Sequence, residues 1–400
     1  MIYGKLFYAN EFVEAGIEVE NGIVKKIGKL VKGKNVRGII LPAGIDVHVH
    51  FRDFKEKHKE TIESGSLSAL FGGICLVVDQ PNTKPLVDCY DVYDERMRIA
   101  KRKSYVDYTL NLALTNENAD RIDKEIRNIK QKYFLPAIGE VFIQHNDENL
   151  QISYNTLKKV REVLDLIITV HAEDPDYVSR GMPNFLYRSR EAEVTAVKRC
   201  VEIGRFHFCH ISTRDAAKII INSNSTFEVT PHHLLLSVEE YNRLGNFINV
   251  NPPLRDKTDA EWLLKNFSRV DVLASDHAPH TIEEKEMGLP GFPGVEVMYP
   301  IFVNLAVKGI ISFKDLVDKI AKNPAKIFGF KGYGEIKEGN YANFAVFDYK
   351  DVKRIKVDML HSLCNWTPYE GFEAVFPKTV YIRGEEALND GSFERFGRVL

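Results

Sequence analysis

Cysteine is scarce here, and its placement excludes more than its number does. Cys75, Cys89, Cys200, Cys209 and Cys364 are odd in number, widely scattered and without a CxxC pair. They form neither a disulfide frame nor a thiolate zinc site, and read as reduced thiols. Long apolar runs are also missing: nothing approaches the ~18 consecutive apolar residues of a membrane span. The opening Met1-Ile2-Tyr3-Gly4-Lys5 lacks the basic, apolar and small-residue segments of a secretory leader. The expected location is therefore the cytoplasm. Charge of one sign is not in excess either. Lys and Arg total 54 against 56 Asp and Glu, and no block of like charges reads as an interaction tail. Neither nucleic acid nor a membrane surface is an expected partner.

What is present suits a large soluble core. The 400 residues suffice for one barrel of about 250 residues with a smaller domain beside it. Residues 16–20 and 23–24 flank Asn21-Gly22, the pair that a two-residue hairpin turn favours. The pattern changes at Leu41-Pro42-Ala43-Gly44. From there apolar runs alternate with longer charged stretches of helical character, as in repeated βα units. Eight such runs occupy 44–50, 74–79, 106–113, 137–143, 166–173, 205–212, 226–233 and 271–279. The predicted fold class is α/β: a (β/α)8 TIM-type barrel over residues 42–334. Residues 1–41 and 335–400, which return to strand-and-turn character at 344–348 and 379–384, are expected to combine into a small β-sandwich domain.

In such a barrel the strands' C-terminal ends line the active site. His48 and His50 lie two apart in the first run, so strand alternation puts both on one face. His171 closes the fifth run, His210 the sixth and Asp276 the eighth. One histidine at a strand end is commonly a hydrogen-bonded core residue. Four imidazoles and a carboxylate at the ends of four strands form a metal site instead. His58, His145, His207 and His361 are read as surface or packing residues. His232 and His233, placed at the end of strand seven, and His277 are read as supports to the site.

The motifs Asp46-Val-His48-Val-His50-Phe-Arg52, Asp79-Gln-Pro-Asn82-Thr83, His171-Ala-Glu-Asp, His210-Ile-Ser-Thr, Asn251-Pro-Pro-Leu-Arg255 and Asp276-His-Ala-Pro-His280 span most of the chain. With them the sequence closely resembles the amidohydrolase superfamily and, within it, the dihydroorotase family of longer bacterial and archaeal type. The resemblance implies reversible cyclisation of N-carbamoyl-aspartate to dihydroorotate in pyrimidine biosynthesis. It implies zinc as cofactor, with water activated by the metal attacking the ring amide and Asp276 as general base and acid. It matches Arg52, Asn82 and His280 to recognition of the substrate carboxylate, Asn251 to the ring, and the backbone near Pro290 and Gly291 to the pocket wall. Arg255 is a weaker candidate. A homodimer and association with aspartate transcarbamoylase are left open.

One absence departs from the family. Many members bridge two metals with a carboxylated lysine at the end of strand four, but no lysine occurs between Lys132 and Lys158. No lysine carbamate is expected. Glu140 is the carboxylate nearest that place, and its carboxyl carbon lies three atoms nearer the backbone than a carbamate carbon. Bridging would need the strand closer to the metals by up to ~3–4 Å; otherwise one metal position is weakened or lost, so one ion or two remain open. Gln80 stands where methionine is usual, and a polar contact near the carboxylate end is expected of it. The rival readings are an allantoinase or hydantoinase, and a non-catalytic scaffold homologue. The scaffold reading fits poorly with five retained ligands.

Overall fold

The computed structural model describes residues 1–400. Eight short strands lie inside the eight apolar runs: Gly44–Val49, Ile74–Asp79, Asp107–Leu110, Ile138–Phe142, Ile168–His171, His207–Phe208, Thr226–Val229 and Val272–Leu273. The first three pair in parallel, as do the last five. Parallel bridges between Leu112 and Ile138 and between Val49 and His277 join the two sets and close the cylinder. Strands buried on both faces need unbroken apolar sequence, and Ile74–Asp79 is buried at every position. Helices cover the outside; Ile62–Phe71, for example, starts in a capping box between Thr61 and Ser64. Strands and helices share one core of 92 buried residues.

Both chain ends contribute to one further sheet of eight strands, in which Phe344–Phe347 pairs antiparallel with Lys34–Pro42. Its hairpin turn has φ of 52° at Asn21 and 79° at Gly22, the left-handed pair that Asn-Gly supplies at little cost. One face of this sheet, through Ile39, Leu41, Ala345 and Phe347, belongs to the barrel's core. The other encloses Leu6, Ile17, Val24, Phe344 and Val346 in a separate cluster of 11 buried residues. Lys34–Pro42 runs into the first barrel strand with only Ala43 between, which anchors that strand's start.

The seventh strand is shorter than its run. It stops at Val229, where Thr230 caps a short helix, Pro231–Leu235, with Pro231 in its first turn. His232 and His233 are thus helical and do not end a strand. The Thr-Pro pair is the start signal that outweighs the β-branched pattern before it.

Candidate active site

The strand ends bring His48, His50, Glu140, His171, His210 and Asp276 together at one mouth of the barrel, all buried. Glu140 stands at their centre. Its Oε1 lies 3.1 Å from His171 Nδ1 and 2.7 Å from His210 Nε2. Its Oε2 lies 3.5 Å from His48 Nε2 and 3.9 Å from His50 Nε2. Asp276 Oδ1 closes the other side, 3.1 Å from His50 Nε2 and 3.6 Å from His48 Nε2. Two histidines therefore face each oxygen of one carboxylate.

Glu140 reaches that point because strand four is bulged. Its pairing with strand five slips between Ile138 and Val141, the kind of irregularity that re-aims a side chain. Gly139 makes the bend available: its φ is 129°, and a Cβ there would fall 2.5 Å from the Thr169 carbonyl oxygen. The bend brings the Glu140 carboxylate among the four imidazoles.

The donor set fits a divalent ion. His48, His50 and Asp276 offer ligand atoms within 4.8 Å of one another, and so do His48, Glu140 and His210. His48 Nε2 is buried without a hydrogen-bond partner. Burial alone would strip the proton from His171, yet the carboxylates of Glu140 and Glu173 raise it to about 9. His48 is likewise held protonated against burial by Glu228 and Glu140. This is a cluster of buried anions in need of positive charge, which a divalent metal ion would supply in place of the protons.

Behind these groups stand carboxylates that sequence reading missed. Glu228 accepts from His48 Nδ1 at 2.5 Å and from His207 Nε2 at 3.3 Å. Those bonds fix the ring with Nε2 turned inward, the atom that would offer a lone pair once a metal ion displaced its proton. Glu173 accepts from His171 Nε2 at 2.7 Å and is gripped by Arg188. An acidic residue inside the apolar run Thr226-Phe-Glu228-Val was a usable signal for the first. Glu173, two beyond His171, was one for the second. His207, read as packing, is buried and serves Glu228.

From the metal cluster a cavity of about 490 Å³ extends past Arg52, Asn82, Asn251, His280, Pro290 and Gly291. Arg52 Nη2 lies 3.3 Å from His280 Nε2, and His280 Nδ1 lies 2.9 Å from Glu284. Burial, with Arg52 beside it, brings His280 down to about 3 despite Glu284. The ring is therefore neutral near pH 7, with Nδ1–H donating to Glu284 and Nε2 accepting from Arg52. Asn82 Oδ1 accepts from His50 Nδ1 at 2.9 Å, which turns its amide nitrogen to the cavity. Asn251 Oδ1 accepts from Asn184 at 2.8 Å.

Arg52, Asp53 and Phe54 all have positive φ, at 36°, 52° and 47°. Such backbone persists only where its surroundings over-determine it. Here Arg96 Nη1 donates to the Arg52 carbonyl at 2.9 Å, while Asp79 binds Arg96, Tyr108 and the Phe51 amide.

Three expectations need correcting. Gln80 does not reach the carboxylate end: its amide is buried, donating to Val47 O and accepting from Asn111. Arg255 does not line the cavity; it bonds Ser212 and the Arg188 carbonyl. His145, read as surface or packing, lines the cavity with its neighbours Asn146 and Asp147.

The Amidohydrolase family model matches residues 39–387. A dihydroorotase of Archaeoglobus fulgidus is 68% identical over 391 residues, covering 98% of this chain and 97% of that protein. A dihydroorotase of Pyrococcus abyssi is 36% identical, covering 98% and 95%. Among solved structures, an L-hydantoinase (dihydropyrimidinase) from Arthrobacter aurescens superposes with a TM-score of 0.92 at 22% identity, covering 99% of this chain and 98% of that one. A dihydropyrimidinase from Brevibacillus agri gives 0.89 at 23%, covering 100% and 97%. At such identity these two speak for the barrel fold alone. The chain belongs to the amidohydrolase family, and the two full-length relatives from Archaeoglobus fulgidus and Pyrococcus abyssi are dihydroorotases.

Proposed function

We propose that this chain is a dihydroorotase, interconverting dihydroorotate and N-carbamoyl-L-aspartate in pyrimidine (UMP) biosynthesis. One observation carries the reading: a ring of four histidines around Glu140, with Asp276, opens directly onto a wall made of Arg52, His280 and Asn82. Hydrolysis of a cyclic amide and recognition of a carboxylate are thereby placed side by side.

His48, His50, Glu140, His171, His210 and Asp276 would hold a divalent ion, zinc on this donor set, which when bound would supply Lewis acidity and lower the pKa of water. The protein's residues do the rest. Asp276 takes the proton of the attacking water and passes it to the ring nitrogen as the C–N bond breaks. In ring closure it removes the ureido nitrogen's proton and returns it to the departing water. Arg52 forks onto the substrate carboxylate, with His280 and the Asn82 amide beside it. Asn251 and the backbone at Pro290 and Gly291 meet the ring. With two histidines facing each oxygen of Glu140, the residues present would suit two zinc ions better than one.

The same reading treats residues 42–334 as the catalytic barrel and 1–41 with 335–400 as a composite β-sandwich, supported by the separate 11-residue core. It places the enzyme in the cytoplasm; no helix is long and apolar enough to cross a membrane. Sedimentation, alone and with aspartate transcarbamoylase, reads out a homodimer or a complex. The deciding experiment is turnover of dihydroorotate against allantoin and hydantoin. Dihydroorotate should lead by kcat/KM, and a lead by allantoin would overturn the assignment.

A further inference from the structure

Lys285 is the most deeply buried lysine of the chain, 0% exposed, on the short helix Ile282–Glu286 beneath the loop that closes the cavity. Its Nζ lies 2.7 Å from Asn249 O, 2.8 Å from Leu289 O and 3.1 Å from Gly291 O. An ammonium has three N–H donors and no acceptor, so three carbonyls saturate it. A neutral amine would leave one of the three carbonyls unmatched, while burial pushes the amine well below the usual lysine range. The stem ends between aromatic faces, 5.3 Å from the Phe292 ring centre and 5.2 Å from that of Trp366.

The three carbonyls come from two neighbouring segments of the cavity lining. Asn249 precedes Asn251 in one, and Leu289 and Gly291 bracket Pro290 in the other. Asn249 O also accepts the Gly291 amide at 3.0 Å. Asn249 carries the loop after strand five as well, accepting the Asn184 amide at 2.9 Å. Trp366 in turn donates to the carbonyl of His280 at 2.9 Å. One buried lysine therefore bonds to two segments that lie far apart in sequence.

We infer that Lys285 is a positioning residue for substrate binding, clamping the Asn249–Asn251 and Leu289–Gly291 backbones at the spacing that admits the ring. The inference rests on the dihydroorotase reading for the identity of the ring. Lys285 touches neither substrate nor metal; it acts through the backbone it holds.

Replacing Lys285 with methionine keeps length and removes all three donors. The Lys285→Met enzyme should show KM for dihydroorotate raised at least about tenfold, kcat within about threefold, and wild-type metal content. Lys285→Gln, with two donors, should fall between the two. An unchanged KM in either folded variant, or a loss confined to kcat or thermal stability, overturns the inference. A readout on the unaltered enzyme stands independently of how these variants fold. The Gly291 amide, bonded to the Asn249 carbonyl that Lys285 also holds, should exchange slowly without substrate, and fast exchange there also overturns it. If wild-type enzyme fails to turn over dihydroorotate, it is the functional reading that falls, while the exchange result still judges the clamp.

Discussion

At one end of the cavity the histidines ride on the termini of barrel strands. At the other, Arg52, Asn82 and His280 ride on the segments that follow those termini. The difference decides how each end is held. A strand end inherits its position from the parallel ladder beneath it, and a single acceptor behind the imidazole fixes its rotation, as Glu228 does for His48, Glu173 for His171 and Asn82 for His50. A segment beyond the ladder must be held by dedicated contacts. Asp79, Arg96 and Tyr108 hold the left-handed stretch at Arg52, and Glu284 fixes the ring of His280. The two ends should therefore fail differently: damage at the strand ends costs turnover and metal, whereas damage at the segments costs binding.

The largest effect expected is at Asp276. Asp276→Ala removes the proton carrier and a ligand atom, and kcat should fall by about 10⁴ with dihydroorotate. KM should move little. A comparable rise in KM, measured by steady-state kinetics in both directions, would break the division between the ends. At the other end, Arg52→Met removes a charged, forked donor, worth about 3 kcal/mol or ~10²-fold in kcat/KM. That loss should lie in KM, with zinc content unchanged.

Metal loading sharpens the same contrast. Glu140→Ala should drop zinc from near two per chain toward one by elemental analysis. Unchanged occupancy would sink bridging by Glu140. Glu228→Gln leaves every ligand in place but weakens the partner of His48 Nδ1. Zinc affinity should fall by about 10–100-fold, with the KM for dihydroorotate unaltered at saturating metal.

How much of this could be read from the sequence follows the same line. His48, His50, His171, His210 and Asp276 stand at the ends of apolar runs, so period-two alternation and barrel geometry suffice to gather them. Glu140 was legible as a carboxylate in the right place. Its reach was not, because the bulge at Ile138–Val141 and the φ of Gly139 depend on pairing with strand five. The end of strand seven was misread because Thr230-Pro231 starts a helix inside a β-like run. Lys285 carries no sequence signal: a lysine among Glu283, Glu284 and Glu286 reads as a solvated helix face, and only tertiary packing makes it buried. Arg96 hides in the same way on a charged helix, although it is wholly enclosed by Asp79 and Tyr108.

A null effect completes the series. An enzyme whose metals are bridged by a lysine carbamate must capture carbon dioxide before it can load them. Here Glu140 brings its carboxylate with it, so metal-free protein given zinc in bicarbonate-depleted buffer should recover the same activity as with bicarbonate. A requirement for bicarbonate would mean that a lysine supplies the bridge after all. The cavity offers two: Lys59, held 2.9 Å from Glu56 and 3.3 Å from Glu284, and Lys84. Both lie at the carboxylate end, on the segments and away from strand four. Such a result would move the metal off the strand termini and erase the distinction between the two ends. Equal recovery in both buffers leaves the bulge at Glu140 as the reason a shorter side chain serves.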